Sequence, residues 1–127
     1  MRDAIRFKGS SSPFDYLIFD GNTLMGIEAK LLRSRKSGNP KSFPFSRVSD
    51  VQREGLQHLD AFDNTKAYIF VNFRWMKRKG KCFALTINEF LELEKTLDRK
   101  SIPLGHFEEN VLEIDRYNKG WDIKCLM

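Results

Sequence analysis

The sequence predicts an α/β fold in which a mixed β-sheet is flanked by helices, and three observations support that prediction. The apolar pattern gives the element order β-β-α-β-β-α, followed by a weaker tail. Short β-rich runs alternate with segments whose apolar residues recur at helical spacing. At 127 residues, with 41% hydrophobic and 31% charged residues, the chain has the size and composition of one globular domain. We therefore expect a single domain over 1–127.

The first part of the chain predicts a β-hairpin. Residues 1–12 form a flexible lead-in or a first edge strand. Two β-rich runs follow, from Phe14 to Phe19 and from Thr23 to Leu31. Between them lies Asp20-Gly21-Asn22, in which glycine and asparagine tolerate the positive φ of a tight turn.

A basic loop and a helix are predicted next. Residues 33–47 are rich in Ser, Lys, Arg, Gly and Pro, a composition typical of a loop. Ser49 and Gln52 fit the S-x-x-Q capping box, so we expect a helix from Ser49 to about Phe62.

The second half predicts another hairpin and a second helix. Ala67 to Phe73 and Lys81 to Ile87 are β-rich and flank the basic turn Lys77-Arg78-Lys79-Gly80. Asn88 is expected to cap a helix that continues through Leu97.

The tail has weaker patterns. Pro103 lies near the start of a short helix that Ser101 is expected to cap. Val111 to Ile114 and Trp121 to Cys125 are expected to form strands.

Several function classes are excluded by what the sequence lacks. No apolar run is long enough to span a membrane, and no basic-then-apolar leader opens the chain. Cys82 and Cys125 lack the spacing of a zinc site and are expected to be reduced thiols. We therefore expect a cytoplasmic protein, in a host cytoplasm if a phage encodes it, without a membrane partner.

The positive charge is concentrated in two stretches. Lys and Arg number 22 against 17 Asp and Glu, a net charge of +5. Two segments, between Glu28 and Asp50 and between Asp63 and Glu89, contain six bases each and no acid. Such clusters indicate either a surface that binds a phosphate backbone or a solvated basic face that aids solubility.

Three ionisable residues of the first hairpin suggest chemistry. Glu28 and Lys30 point to one face of their strand because side chains alternate. Asp15 lies thirteen residues before Glu28, a separation that the two strands and their turn would bridge. Two carboxylates and a lysine are therefore expected at one end of the hairpin.

That trio has two interpretations. Two carboxylates can hold Mg²⁺, which neutralises a phosphate and lowers the pKa of a bound water, and a lysine can stabilise the charge that develops. The alternative is a surface Glu–Lys pair beside an ordinary Asp, because E-x-K is a common sequence.

Several segments extend the pattern in order along the chain. They are Pro13-Phe14-Asp15, Glu28-Ala29-Lys30, Ser42-Phe43-Pro44, a helix containing Gln52, and Ser101-Ile102-Pro103. Together they resemble the RecU family of Holliday junction resolvases within the PD-(D/E)xK nucleases. The resemblance covers roughly residues 12–107.

The resemblance implies a fold, a cofactor and a set of site residues. The fold would be a restriction-endonuclease-like core forming a single nuclease domain. Asp15 and Glu28 would be ligands of Mg²⁺, with Mn²⁺ as a substitute, and the Ala29 carbonyl a third ligand. Lys30 would position or activate the nucleophilic water, and Gln52 would assist from the helix. From the residues alone, Gln52 has the alternative of only closing the capping box.

The resemblance also implies a substrate, which is a four-way DNA junction cut by phosphodiester hydrolysis during recombination and repair. A two-fold homodimer would supply the two cuts. Expected DNA contacts are Arg33, Arg35, Lys36, Lys41 and Arg47 in the loop, and Arg74, Lys77, Arg78, Lys79 and Lys81 around the second turn.

Three questions remain open at this point. The first is the function: the alternatives to a junction resolvase are a nuclease for other DNA, such as ends, flaps or duplex, and an inactive DNA-binding module. Only fourteen residues precede Asp15, where RecU proteins have an N-terminal helix and a stalk, so either this is a minimal member or something replaces those parts. Trp75 is a stacking or wedge group at the second turn, or an ordinary hairpin aromatic.

Overall fold

A mixed β-sheet forms the centre of the computed structural model. The structure describes residues 3–6, 15–35, 38–117, 120–121 and 126. In chain order the elements are β1 (Asp3–Arg6), β2 (Tyr16–Phe19), β3 (Leu24–Arg33), β4 (Ser42–Pro44), α1 (Asp50–Asp60), β5 (Thr65–Arg74), β6 (Lys81–Thr86), α2 (Ile87–Thr96), β7 (Ser101–Pro103), α3 (Leu104–Asn110), β8 (Leu112–Ile114), β9 (Arg116–Tyr117) and β10 (Gly120–Trp121).

The sheet has the spatial order β1-β2-β3-β5-β6-β8. β3 and β5 are parallel, with Glu28 opposite Ile69, and α1 provides the connection that a parallel pair requires. The other neighbours in this sheet are antiparallel. The predicted α/β architecture with a mixed sheet is confirmed.

The first hairpin forms as the sequence predicts. β2 pairs with β3 so that Tyr16 lies opposite Ile27. In the turn, Asp20 Oδ1 accepts hydrogen bonds from the backbone N–H of Asn22 at 2.9 Å and of Thr23 at 2.6 Å. Gly21 has a φ of +94°, a conformation that glycine adopts without a Cβ clash.

The helices cover one face of the sheet. Alternate residues of β5, among them Ile69 and Phe73, contribute to a core with Leu56 of α1, Phe90 of α2 and Phe107 of α3. The opposite face has a second cluster that contains Ile27, Tyr68 and Phe70. Because Glu28 and Lys30 alternate with Ile27 along β3, they lie on the helix-covered face.

Two helix starts show how local sequence controls capping. Ser49 caps α1 with the predicted capping box. The second helix begins two residues earlier than predicted, because Thr86 is its N-cap and Asn88 is not. The Thr86 hydroxyl accepts from Glu89 N at 3.0 Å, and Glu89 Oε1 accepts from Thr86 N at 3.1 Å.

The prediction of an unbroken loop over 33–47 is wrong. Arg33 ends β3, Ser42–Pro44 is β4, and Phe45–Arg47 is a short 3-10 helix. β4 pairs with β7, so Ser101 lies in a strand opposite Pro44 and is not the predicted helix cap. Pro103 occupies that N-cap position, without a side-chain hydrogen bond.

The ends of the chain are described in part. Residues 3–6 form an edge strand, one of the two expected alternatives for the lead-in, and the rest of 1–14 lies outside the described residues. The strand predicted from Val111 to Ile114 is confirmed over Leu112–Ile114. The strand predicted from Trp121 to Cys125 is described only at Trp121, in β10. None of the helices in the described part of the chain is long and apolar enough to span a membrane.

Candidate active site

Glu28 and Lys30 meet in the middle of the sheet. The Lys30 Nζ lies 3.4 Å from Glu28 Oε1, an ion pair whose side chains are 14% and 5% exposed. Among the described residues, Glu28 is the only charged residue that is buried. A buried carboxylate is costly unless it is paired and hydrogen-bonded, so its presence in a central strand indicates a functional constraint.

Asp15 joins this pair from the neighbouring strand. Its backbone N–H donates to the Ile27 carbonyl at 2.8 Å, and its Oδ2 accepts from Ala29 N at 2.9 Å. The latter bond holds the Asp15 carboxylate against β3, next to Glu28. The hairpin thus brings together the two carboxylates that the sequence predicted to converge.

Gln52 completes the cluster from the first turn of α1. Its Nε2 donates to Glu28 Oε1 at 2.8 Å, and its Oε1 accepts from Lys30 Nζ at 3.1 Å. The same Oε1 accepts from Ser49 N at 3.0 Å, which closes the capping box. The two interpretations of Gln52 are therefore compatible, because one side chain caps the helix and contacts both charged residues.

The electrostatics of the cluster favour a bound cation. Burial, and next the nearby negative charge of Asp15, raise the pKa of Glu28, while Lys30 opposes that rise. A cation bound there would offset both the cost of desolvating Glu28 and the repulsion between the two carboxylates. The described residues contain no group of three or more His, Cys, Asp or Glu side chains arranged to hold a metal ion. A metal at this cluster would have the two carboxylates, backbone oxygen and water as its available ligands.

A basic groove begins at Leu31, the residue after Lys30. Its volume is about 550 Å³, and it follows the end of β3 into the segment before β4. Arg33, Arg35 and Lys41 line it with exposed side chains. Arg47 also lines it, and donates to the Leu31 carbonyl at 3.1 Å. Lys36, predicted as a fifth contact here, lies outside the described residues.

The second basic segment surrounds the turn between β5 and β6. Arg74, Lys77 and Lys79 are exposed. The Arg78 guanidinium lies 4.0 Å from the centre of the Trp75 ring. Lys81 lies in β6 and its Nζ is 3.0 Å from Glu108 Oε2, so part of its charge is neutralised.

Trp75 is buried, which contradicts its interpretation as a wedge. It is 8% exposed and stacks on Phe73 with ring centres 5.8 Å apart. Its Nε1 donates to the Pro40 carbonyl at 3.1 Å. The tryptophan anchors the hairpin to the loop and is unavailable to DNA bases.

Two residues that the sequence analysis missed join the basic segments. Ser34 N donates to the Arg74 carbonyl at 3.1 Å, and the Ser34 Oγ is hydrogen-bonded to Asn39 Oδ1. Met76 N donates to Ser34 Oγ at 3.0 Å and to Asn39 Oδ1 at 3.1 Å. The signal available in the sequence was Gly38-Asn39-Pro40, a turn pattern, but a turn does not identify its distant partner.

Comparison with known proteins supplies the fold family. No protein-family model matches the sequence, and no curated protein matches it. The chain is similar to a solved structure, Hjc, a Holliday junction resolvase from the archaeal hyperthermophile Archaeoglobus fulgidus. The TM-score is 0.53 at 22% sequence identity, over 88% of this chain and 82% of that one.

The chain has a restriction-endonuclease-like fold. The predicted fold class, with a mixed sheet flanked by helices, is therefore confirmed by both the architecture and the comparison.

Proposed function

We propose that this protein is a Mg²⁺-dependent endonuclease that resolves four-way DNA junctions by phosphodiester hydrolysis, with Mn²⁺ as a substitute metal. The observation that carries the proposal is the cluster of Asp15, Glu28, Lys30 and Gln52. Its ionisable groups are those that metal-assisted hydrolysis needs. A basic groove begins at the residue after Lys30. The similarity in fold to a Holliday junction resolvase supports the choice of a branched substrate.

The residues present fit a magnesium ion. The hydrogen bond from Ala29 N occupies Oδ2 of Asp15, and within the described residues no donor contacts its Oδ1. Gln52 and Lys30 both contact Oε1 of Glu28, and among the described residues Oε2 takes no hydrogen bond. The Ala29 carbonyl lies on the Asp15 side of β3, because the N–H and C=O of a strand residue point the same way. Two carboxylate oxygens, one carbonyl oxygen and water match the preference of Mg²⁺.

Lys30 and Gln52 have separate tasks in this proposal. When bound, Mg²⁺ supplies Lewis acidity that neutralises phosphate charge and makes water a better nucleophile. Lys30 directs its ammonium toward the attacking oxygen and the charge that develops on the phosphate. Gln52 holds both Glu28 and Lys30 through opposite ends of one amide, and so fixes their separation. It is a positioning residue in this scheme.

The DNA contacts are expected to be with phosphates. Arg33 ends the strand that holds Glu28 and Lys30, and Arg35 and Lys41 follow in the next segment. We expect all three to hold phosphates near the cut. Contacts with phosphates do not specify base sequence, so selectivity would come from the shape of the DNA. One chain offers one such cluster, and two cuts in a symmetric junction require a homodimer.

The test is cleavage of end-labelled DNA in Mg²⁺. A four-way junction, a flap and a linear duplex of shared sequence are compared, with wild type, Glu28→Gln and Glu54→Gln. Glu54 is an exposed carboxylate on α1 and serves as the matched control. We expect paired nicks in the junction with wild type and Glu54→Gln, and binding without cleavage with Glu28→Gln.

Other outcomes decide against parts of the proposal. Equal cleavage of flap and duplex would refute junction selectivity and favour a nuclease for other DNA. Binding of every DNA with no cleavage in Mg²⁺ or Mn²⁺ would refute hydrolysis and favour a binding module. A protein that stays monomeric on junction DNA, measured by light scattering, would refute the homodimer.

A further inference from the structure

An apolar side chain lies at the tip of the basic hairpin between β5 and β6. Met76 is 64% exposed, although its neighbour Trp75 is buried. The residues around it on the hairpin are cations, namely Arg74, Lys77, Arg78 and Lys79. Lys77 has a φ of +60°, a left-handed conformation that reverses the chain immediately after Met76.

The tip is held against the rest of the protein. Met76 N donates to Ser34 Oγ at 3.0 Å and to Asn39 Oδ1 at 3.1 Å. Trp75 on one side is fixed by its stack on Phe73 and its bond to the Pro40 carbonyl. The methionine side chain is therefore presented from a backbone that is anchored at the residue itself and at the one before it.

The tip lies beyond the ends of β3 and β5, at the end of the basic groove. Arg33, the last residue of β3, lies opposite Arg74 in the parallel pair of β3 and β5. Asn39, which accepts a hydrogen bond from Met76 N, lines the groove together with Arg33. Lys30 is three residues before Arg33 on the same strand, which is about 10 Å at 3.3 Å per residue. DNA that follows the groove past Arg33 would thus reach the tip.

We propose that Met76 is a wedge that inserts between base pairs at the branch point of the junction. The proposal rests on the proposed function and adds a contact to bases that the phosphate groove lacks. An apolar side chain can enter a base step and unstack it where surrounding cations hold the adjacent phosphates. Stacking is already interrupted at a branch point, so insertion costs less there than in continuous duplex.

Another exposed apolar residue, Phe62, lacks this setting. Phe62, 68% exposed, lies between Asp60 and Asp63, whose charges repel phosphates. Phe62→Ala is therefore a control that removes an exposed apolar side chain outside the basic surface.

The experiment measures 2-aminopurine fluorescence at the branch point. All proteins carry Glu28→Gln, which stops cleavage under the proposed function, and each is titrated onto a junction and a duplex with the same label. We expect the fluorescence to rise on junction binding, the rise to fall at least about twofold with Met76→Ala, and Met76→Leu to retain it. Junction affinity should fall roughly fivefold with Met76→Ala, while duplex affinity and the Phe62→Ala variant stay unchanged.

The outcomes separate this inference from the proposed function. An unchanged fluorescence rise and junction affinity with Met76→Ala would overturn the wedge and leave the proposed function intact. An equal loss of affinity for junction and duplex would also overturn it, because Met76 would then act on DNA in general. Failure of the Glu28→Gln protein and of wild type in Ca²⁺ to bind the junction would refute the proposed function and the wedge with it.

Discussion

Replacing Gln52 by alanine should destabilise the protein, because one amide serves three partners. The substitution removes the hydrogen bonds to Glu28 Oε1, Lys30 Nζ and Ser49 N. Bonds to charged groups contribute about 1.5–3 kcal/mol each, and a capping bond about 1 kcal/mol. Water can replace part of this at Lys30 and Ser49, but less at Glu28, which is 4% exposed. The expected loss in the free energy of unfolding is about 2–4 kcal/mol.

The matched control for this prediction is Gln57→Ala. Gln57 lies on the same helix, exposed to solvent, so its replacement should change the free energy of unfolding by no more than about 0.5 kcal/mol. Urea denaturation of both variants at pH 7.5 in EDTA measures the difference. If Gln52→Ala were within 0.5 kcal/mol of Gln57→Ala, with m-values unchanged, Gln52 would not couple the helix to the charged pair, and its assigned role would fail.

Four further predictions concern Glu28, bound Mg²⁺, Gly80 and Cys82. Burial and the Asp15 charge raise the pKa of Glu28 above its ordinary value, so the stability of the wild type should fall as pH rises through the folded pKa. Glu28→Gln removes that loss, so its advantage in EDTA should be larger at pH 7.5 than at pH 4. A constant difference would contradict the cause assigned. Mg²⁺ at about 100 times its Kd should stabilise wild type by about 2.7 kcal/mol in a thermal melt and leave Glu28→Gln nearly unchanged. Gly80→Ala should lower the free energy of unfolding by about 1–3 kcal/mol, because the added Cβ would lie 2.5 Å from the Phe73 carbonyl oxygen. The control Gly105→Ala places its Cβ more than 4 Å from other atoms and should be neutral or stabilising. Cys82 is buried, and burial raises its pKa to about 12, so a thiol reagent should modify it only at the rate of unfolding; rapid modification in native buffer would contradict its placement.

The sequence predicts well those elements of the fold that depend on residues close together in the chain. The turn at Asp20-Gly21-Asn22 and the capping box of Ser49 and Gln52 depend on residues within four positions of each other. Alternation along β3 places Glu28 and Lys30 on one face without any knowledge of distant contacts. These elements gave the hairpin that brings Asp15 to the pair.

Contacts between distant segments were the part that the sequence does not show. β4 and β7 form a small sheet although more than fifty residues separate them in the chain. In the sequence alone, the Ser and Pro residues of β4 are typical of a loop, and Ser101 of β7 is typical of a helix cap. Thr86 and Asn88 are both residue types that cap helices, but Thr86 caps α2 because Glu89, three residues later, closes a capping box with it. Trp75 is buried by contacts that include its stack on Phe73 and its bond to the distant Pro40 carbonyl, which no spacing rule reveals.

The most direct test of the central claim is a cruciform plasmid assay. An inverted repeat in a supercoiled plasmid extrudes a four-way junction, and the plasmid becomes linear only if two opposing strands are cut while the enzyme is bound. In Mg²⁺ the account predicts linear plasmid with wild type, and supercoiled plasmid with Glu28→Gln and with wild type in EDTA. Plasmid that stays supercoiled with wild type in Mg²⁺ and Mn²⁺, or linear plasmid formed equally by Glu28→Gln, would contradict it.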